Sequence, residues 1–327
     1  MILLLWGITL VTWCLTNLVP ADPAAIALGP QASSNPQLVQ EYRVKFGLNK
    51  PLPEQYLIYM KHLLEGNLGT SIITTRPVSQ DLKQYVPATV ELAFFACLFG
   101  FTCGVVLGTW SALRKDKLSD HVIRIFSLAG LSAPGFWLAL VALYFFFFRW
   151  GIAPGGGRLS PGANPPPYVT GSYVVDSIVA GQWSTLWDAV QHILLPAFVL
   201  GLVVLGYVTR YTRSAVLEVA SEDYIRAARA KGLPEFTVIT RYILRAAAPS
   251  VVTVLGLAFA YLLTGAVFIE AVYNYAGLGL YAYNASINLD LPAITGSCLF
   301  IATVYVVINF VVDILYGLID PRIRLTA

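Results

Sequence analysis

The chain has 327 residues, of which 57% are hydrophobic and only 12% are charged. Soluble domains carry roughly a quarter charged residues, so this composition excludes an ordinary soluble protein and indicates one that crosses a membrane several times. The formal net charge of +3 is too small to indicate nucleic-acid binding.

Six segments are apolar over the length of about 20 residues that a membrane-spanning helix needs. In lipid, only a helix satisfies its backbone hydrogen bonds within one segment. The sequence therefore predicts an all-α polytopic membrane protein with six transmembrane helices. The predicted spans are residues 2–19, 88–112, 121–148, 190–209, 250–272 and 294–319. Pro134 and Gly135 interrupt the third span and predict a kink there.

The segment after the first span, residues 20–87, is long for a loop and contains two helical patterns. One begins near Pro36 and ends at Gly47, and the other begins at Pro53 and ends near Gly66. We interpret the segment as a small external cap over the outer mouth of the protein. A linker that lies along the membrane surface is the alternative.

The Lys and Arg residues predict the orientation, because cytoplasmic loops are enriched in both. One side of the membrane receives 13 of the 21, in its loops, in the C-terminus and, for Arg124, just inside the third span: Arg114, Lys115, Lys117, Arg124, Arg210, Arg213, Arg226, Arg229, Lys231, Arg241, Arg245, Arg322 and Arg324. The remaining eight are spread over the long segments of the other side. The first side is therefore predicted to be cytoplasmic, with both termini inside. The five spans after the external segment, within residues 88–327, are predicted to form a five-helix core.

The polar cytoplasmic loop 213–249 contains the signals of a short helix over residues 222–231. Ser221 is a residue type preferred at an N-cap. Glu222 and Asp223 follow in the first turn, where negative charge complements the helix dipole. The loop is thus predicted to hold a well-defined helix between two spans.

The end of this short helix is specified as well. Arg229 and Lys231 fall in its last turn, where positive charge is favourable. Gly232 can adopt the left-handed conformation that ends helices, and Pro234 prevents continuation.

Two functions of the short helix remain open on spacing alone. Tyr224, Ile225 and Ala228 are predicted to share one face, and Ala227 and Ala230 keep the helix slim enough to enter a groove on another protein. In the alternative, the helix lies on lipid headgroups and its basic side chains contact lipid.

The run Asp223–Gly232 resembles the EAA-type coupling motif of ABC importer permeases, in particular of the dipeptide/oligopeptide/nickel family. Other pieces resemble that family in the same order. They are Val19–Pro23, Pro87–Ala93, Ser132–Trp137, Leu195–Pro196, Arg210–Ser214, Glu270–Tyr273, Gly277–Gly279, Asn309–Asp313 and Asp320–Arg324. The resemblance covers nearly the whole chain.

The resemblance implies a type I importer in the bacterial inner membrane. A second, homologous permease would share the pore, and two cytoplasmic ATPase subunits would bind ATP and Mg. An extracytoplasmic substrate-binding protein would deliver the solute, and this chain would carry no cofactor of its own. Peptides are the expected substrates, with nickel chelates, glutathione and opines as alternatives.

The resemblance also assigns candidate site residues. The ATPase-coupling residues would be Glu222, Asp223, Tyr224, Arg226, Ala227, Ala228, Lys231 and Gly232. The candidate outer gate or pathway residues are Glu270, Tyr275, Gly277 and Gly279, at and beyond the outer end of the fifth span. For Glu270, an interhelical hydrogen bond or ion pair is the alternative. Glu91, near another span end, is interpreted as a partner in such a bond or pair.

Catalytic and metal sites are not expected. The four cysteines lie in apolar spans without CxxC spacing, so we predict neither a disulfide nor a metal site. The chain has no HExxH motif and no phosphate-binding Gly-x-x-x-x-Gly-Lys motif. A membrane-embedded enzyme is therefore a weak alternative, as is an ion-gradient-driven carrier or channel, which calls for charges near the middle of the membrane.

Overall fold

The computed structural model describes residues 2–18, 35–45, 47 and 49–319, and these residues form helices joined by turns and loops, without a strand. The motif pieces Val19–Pro23 and Asp320–Arg324 lie outside the described residues.

The helices follow one another along the whole described chain. In chain order they are α1 (Ile2–Leu18), α2 (Pro36–Lys45), α3 (Leu52–Leu64), α4 (Val78–Leu113), α5 (Leu118–Ser132), α6 (Gly135–Ala142), α7 (Tyr173–Val179), α8 (Trp183–Ala220), α9 (Asp223–Ala230), α10 (Glu235–Thr237), α11 (Leu244–Val272), α12 (Leu278–Ile287) and α13 (Leu291–Ile319). A π-helical segment, Leu143–Arg149, continues α6, and a second, Val238–Ile243, leads into α11. The two helices predicted in the segment 20–87 are present as α2 and α3.

Length and composition identify three membrane-spanning candidates among the described residues: Val78–Leu113, Trp183–Ala220 and Leu291–Val311. Helices α5 and α6, with the π-helical continuation to Arg149, are long and apolar enough only when taken together, and they meet at an angle of 105°. They count as a fourth candidate if they form one broken span. The kink predicted at Pro134 is thus a sharp bend, with Ala133 and Pro134 in extended conformation between the helices.

Two of the spans are longer than the sequence predicts. The span predicted over 88–112 begins at Val78, and the span predicted over 190–209 extends from Trp183 to Ala220. Hydropathy marks only the part of a helix that lies in hydrocarbon, whereas the backbone hydrogen bonds continue into the polar turns at either end.

The chain forms two compact units, one of residues 1–89 and 276–307 and the other of residues 90–275 and 308–327. In the first unit, α12 packs against the start of α4. The buried apolar residues of this cluster are Val78, Leu82, Leu278, Tyr281, Ala285 and, from the start of α13, Ala293. Next to it, Asp290 is completely buried and accepts hydrogen bonds from Ser71 Oγ at 2.6 Å and from the backbone of Ile72 at 2.9 Å. These bonds fix the loop that precedes α4.

In the second unit, α4 and α8 pack backbone against backbone. Gly100, Gly104 and Gly108 recur at every fourth position of α4 and form one stripe. A Cβ added to Gly100 would lie 2.6 Å from the carbonyl oxygen of Gly201, and one added to Gly108 would lie 2.7 Å from that of Thr209. Small residues permit this close approach of membrane helices. Helices α5 and α11 also pack on α8, so α8 is the central helix of this unit.

Candidate functional site

The short helix predicted over 222–231 is present as α9, from Asp223 to Ala230. Its N-cap is Glu222, which has the extended backbone that an N-cap requires. The prediction of Ser221 as N-cap is wrong. Ser221 ends α8 in helical conformation, and its Oγ donates to the Glu218 carbonyl at 2.7 Å instead of accepting from α9. Because α8 continues to Ala220, only two residues separate the two helices.

The predicted end of α9 is confirmed. Gly232 adopts a left-handed conformation with φ of +75°. Its N–H donates to the Arg229 carbonyl at 2.9 Å, and the N–H of Leu233 donates to the Ala228 carbonyl at 3.4 Å. This pair of bonds is the usual way in which a glycine closes a helix. Pro234 then begins the next helical turn.

One face of α9 is buried against the chain's own helices. Ile225 is 0% exposed and Ala228 is 5% exposed. They join an apolar cluster, called the base cluster below, whose buried members are Ala112, Ala215, Val216, Ile225, Ala228, Val238, Ile243 and Ala247. These residues come from α4, α8, α9, the π-helical segment 238–243 and α11. Helix α9 is therefore anchored on the ends of several long helices.

The predicted shared face of Tyr224, Ile225 and Ala228 is wrong in one member. Tyr224 is 48% exposed, whereas Ile225 is fully buried, because consecutive residues of a helix point about 100° apart. The residues predicted for coupling are otherwise on the exposed side. Exposed are Glu222, Asp223, Tyr224, Arg226, Ala227, Lys231 and Gly232, and Ala228 is the buried exception.

Two ion pairs lie on the exposed side of α9. Arg226 pairs with Asp223 one turn earlier. Arg229 reaches across the following turn to Glu235 at 2.7 Å, and its hydrogen bond lowers the pKa of the Glu235 carboxyl. Exposed pairs of this kind contribute little to stability. What they provide is a charged outer face with an aromatic ring, Tyr224, beside it.

The predicted outer residues belong to different parts of the fold. Gly277 and Gly279 lie in the first unit at the start of α12, where Gly277 is the N-cap in extended conformation and Gly279 is buried. Glu270 and Tyr275 lie in the second unit, at the end of α11 and just beyond it. Glu270 is completely buried, and its carbonyl accepts from the Tyr275 N–H at 2.9 Å.

Tyr275 takes part in a buried polar cluster with Glu91 and Arg158, called the outer cluster below. Arg158 Nη2 donates to Glu91 Oε2 at 2.8 Å, and the Tyr275 hydroxyl donates to the same oxygen at 3.3 Å. Burial, together with the Glu91 charge, raises the pKa of the Tyr275 phenol well above its ordinary value. Tyr275 therefore stays protonated and acts as a donor. The predicted ion pair of Glu91 is confirmed, but its partner lies in a loop and not on a second helix.

The outer cluster fixes the loop around residue 158. The other Glu91 oxygen accepts from Ser172 Oγ at 2.6 Å and from the Val174 N–H at 2.8 Å. The Arg158 guanidinium lies 3.5 Å from the centre of the Tyr173 ring, which is cation–π geometry. One charged pair thus fastens the loop at both of its ends.

Nothing in the sequence marks Arg158 as a member of this cluster. It stands in a Gly- and Pro-rich loop, 67 residues from Glu91, and belongs to no motif. The only signal was Glu91 itself, since a carboxylate near a span end requires a partner when it is buried.

The chain matches two family models that together extend over almost its full length. Residues 104–325 match the binding-protein-dependent transport system inner membrane component. Residues 1–93 match the N-terminal model of the membrane component of binding-protein-dependent transport systems.

Curated relatives match nearly end to end. The chain is 42% identical to the probable D,D-dipeptide transport system permease protein DdpB of Escherichia coli, over 99% of this chain and 94% of that protein. It is 41% identical to the di/tripeptide transport system permease protein DppB of Pseudomonas aeruginosa, over 98% and 94%.

One solved structure with the same fold is a chain of the methionine ABC transporter MetNI in an inward facing conformation. The TM-score is 0.56 with 17% sequence identity, and the match covers 73% of this chain and 96% of that one.

Proposed function

Since the chain belongs to the family of binding-protein-dependent transport system inner membrane components, we propose that it is the permease subunit of an ABC importer that takes up peptides. Helix α9 carries the proposal. Its apolar face is anchored in the base cluster, and its charged outer face with Tyr224 is free to bind another protein.

In this proposal, residues 222–232 are the coupling helix that two cytoplasmic ATPase subunits contact, one on each permease of the pore. ATP and Mg are bound by those subunits, and this chain catalyses no reaction. Movement of the ATPases displaces α9, and the base cluster passes the displacement to the long helices. Such a rigid-body shift between two states is a known form of allosteric coupling.

The proposal also gives the chain six spans, with α1, α11 and the broken pair α5–α6 added to α4, α8 and α13. Both termini are then cytoplasmic, and residues 20–87 form an extracytoplasmic cap where a substrate-binding protein delivers its solute. A second, homologous permease completes the pore. The names of the curated relatives, which are dipeptide or di/tripeptide permeases, favour short peptides over nickel chelates, glutathione or opines.

The test is co-purification of the ATPase subunits with the tagged chain, comparing Gly232→Val with Gly66→Val. Both glycines have φ of +75° and open space where a Cβ would lie, so both variants impose the same backbone strain on a β-branched residue. Only Gly232 adjoins α9. We expect the Gly232 variant to lose at least tenfold of the bound ATPase, and the Gly66 variant to keep it.

Uptake of a radiolabelled Ala-Ala dipeptide is then measured in vesicles containing the assembled transporter with its binding protein. ATP-dependent uptake by the native complex and by the Gly66 variant supports peptide import. If the folded native chain retains no ATPase, the coupling function is wrong. ATPase binding without uptake of this or longer peptides would contradict the substrate class alone.

A further inference from the structure

An ion pair between the buried Asp120 and the partly exposed Arg213 lies at the cytoplasmic ends of the long helices and takes no part in either site described above. Asp120 is 0% exposed. Arg213 Nε donates to Asp120 Oδ1 at 2.8 Å, and Nη2 donates to Oδ2 at 2.8 Å. The guanidinium and the carboxylate therefore meet in the two-pronged geometry that fixes both distance and angle.

Two further donors complete the Asp120 carboxylate. Ser111 Oγ donates to Oδ1, and the Asp116 N–H donates to Oδ2 at 3.0 Å. The three side chains come from three different helices: Ser111 from α4, Asp120 from the first turn of α5 and Arg213 from α8. We name Ser111, Asp120 and Arg213 the inner clamp.

The inner clamp adjoins the base cluster that holds α9. Ala112 follows Ser111 directly, and Ala215 and Val216 follow Arg213 by less than one turn; all three belong to the base cluster. None of the cluster members identified in the described residues comes from α5. At this end of the protein, α5 is therefore joined to the seat of α9 through Asp120.

We propose that the inner clamp transmits displacement of the short helix α9 to α5, and that Asp120 and Arg213 are positioning residues for coupling rather than parts of the surface that binds the ATPase. This inference rests on the proposed function. The base cluster passes displacement only to the helices that contribute to it, and a two-pronged ion pair, which resists both translation and rotation, extends the connection to α5. Movement of α8 with α9 therefore carries the start of α5 with it.

The inner clamp also affects the movement of α6, which lies beyond the bend at Pro134. Helix α5 continues into α6 through that bend, so an α5 that follows α8 moves the whole broken pair. Farther along, α5 also touches α8 where a Cβ on Gly206 would lie 2.8 Å from the Ser127 carbonyl oxygen. Loss of the clamp is therefore expected to reduce the movement of the start of α5 without releasing the helix.

The experiment uses the full complex with its ATPase subunits, in a chain whose four native cysteines are replaced. An environment-sensitive fluorophore is placed on Leu118→Cys, which is 80% exposed at the start of α5, or on Ser214→Cys, which is exposed on α8. The fluorescence change on trapping with ATP and vanadate is measured for the native clamp and for Asp120→Asn, which keeps the shape and removes the charge.

With the native clamp, we expect both labels to respond. With Asp120→Asn, the Ser214 label should respond as before, and the response of the Leu118 label should fall at least threefold, with ATP hydrolysis rising relative to Ala-Ala uptake. An unchanged response at Leu118 overturns the proposal. If neither label responds in the native complex and no ATPase is bound, it is the proposed function that fails.

A second variant keeps the test valid if Asp120→Asn does not fold. Arg213→Lys keeps the charge and loses the two-pronged contact. It should give a reduced Leu118 response with full ATPase binding. Asp120→Glu, which keeps the negative charge, should retain more of the Leu118 response than Asp120→Asn. A full Leu118 response in Arg213→Lys would contradict the inference, because a merely attractive charge pair would then suffice.

Discussion

Gly100 of α4 and Gly201 of α8 lie so close that a Cβ on Gly100 would come within 2.6 Å of the Gly201 carbonyl oxygen and 2.7 Å of Val204 Cβ. A side chain at this position must push two helix backbones apart. Gly7 of α1 offers the contrast, since it is also helical and has no atom within 4 Å of an added Cβ.

We therefore expect Gly100→Ala to lower the free energy of unfolding by about 1–3 kcal/mol, which is the usual cost of overpacking. Gly7→Ala should be neutral or stabilise by up to about 1 kcal/mol, because alanine is the better helix former. Thermal unfolding in detergent, followed by tryptophan fluorescence, measures both. Equal effects of the two variants would contradict the packing described for α4 and α8.

Glu91→Gln leaves the buried Arg158 guanidinium without its counter-charge. Both side chains are almost completely buried, so we expect Glu91→Gln to lower the free energy of unfolding by about 3–5 kcal/mol. The double variant Glu91→Gln with Arg158→Met should be less destabilised than Glu91→Gln alone, because no unpaired charge remains. Hydrogen exchange of residues 169–176 reports the loop directly. Additive effects of the two substitutions would show that the pair does not act as a unit.

Ile225→Ala and Tyr224→Ala separate the two faces of α9. Ile225 is fully buried in the base cluster, so its truncation should cost about 2–5 kcal/mol of unfolding free energy. Tyr224 is half exposed, so its truncation should change stability by no more than about 0.5 kcal/mol. In co-purification, the Tyr224 variant should nevertheless lose ATPase. A stable Tyr224 variant with full ATPase binding would remove Tyr224 from the coupling surface.

Asp176 makes the segment of residues 169–176 sensitive to acid. Burial raises the pKa of its carboxyl, but hydrogen bonds from the Thr170 side chain and from the amides of Thr170, Gly171 and Val169 outweigh burial and lower it. A carboxyl with a lowered pKa in the folded state contributes stability above its unfolded pKa of about 3.9. That stability is lost as the pH falls through the folded value.

We therefore expect the native protein to lose stability below about pH 4, with exchange of the residue 169–176 amides rising first. Asp176→Asn should be less stable at pH 7 and should show a flatter dependence on pH in the acid range. The measurement is unfolding in detergent at a series of pH values. Parallel curves for the native chain and the variant would contradict the role of this carboxylate.

The sequence was sufficient to predict features that local chemistry determines. Gly232 ends α9 as predicted, because the left-handed conformation is open to glycine and costly for other residues. Pro134 breaks the third span because it lacks an N–H and constrains the residue before it. The apolar segments predicted helices wherever lipid forbids any other backbone.

Features that depend on distant residues could not be predicted in this way. Arg158 meets Glu91 only after the chain has folded, and nothing near either residue indicates the partner. Ser221 is of a residue type that is preferred at an N-cap, but it ends α8 instead. Continuation of α8 buries Val216 and its neighbours in the base cluster, and this burial stabilises the fold more than a local cap would. The buried face of α9 depended in the same way on which helix ends surround Ile225.

Helix α8 has a mechanical consequence that its packing alone does not reveal. With 38 residues, it extends about 57 Å, almost twice the hydrocarbon thickness of about 30 Å. A straight helix of that length that tilts by about 10° around its middle displaces each end by about 5 Å, close to one helical turn. Its last residue stands next to α9 with only Ser221 and Glu222 between, so a push at one end needs no flexible joint to reach the other side of the membrane.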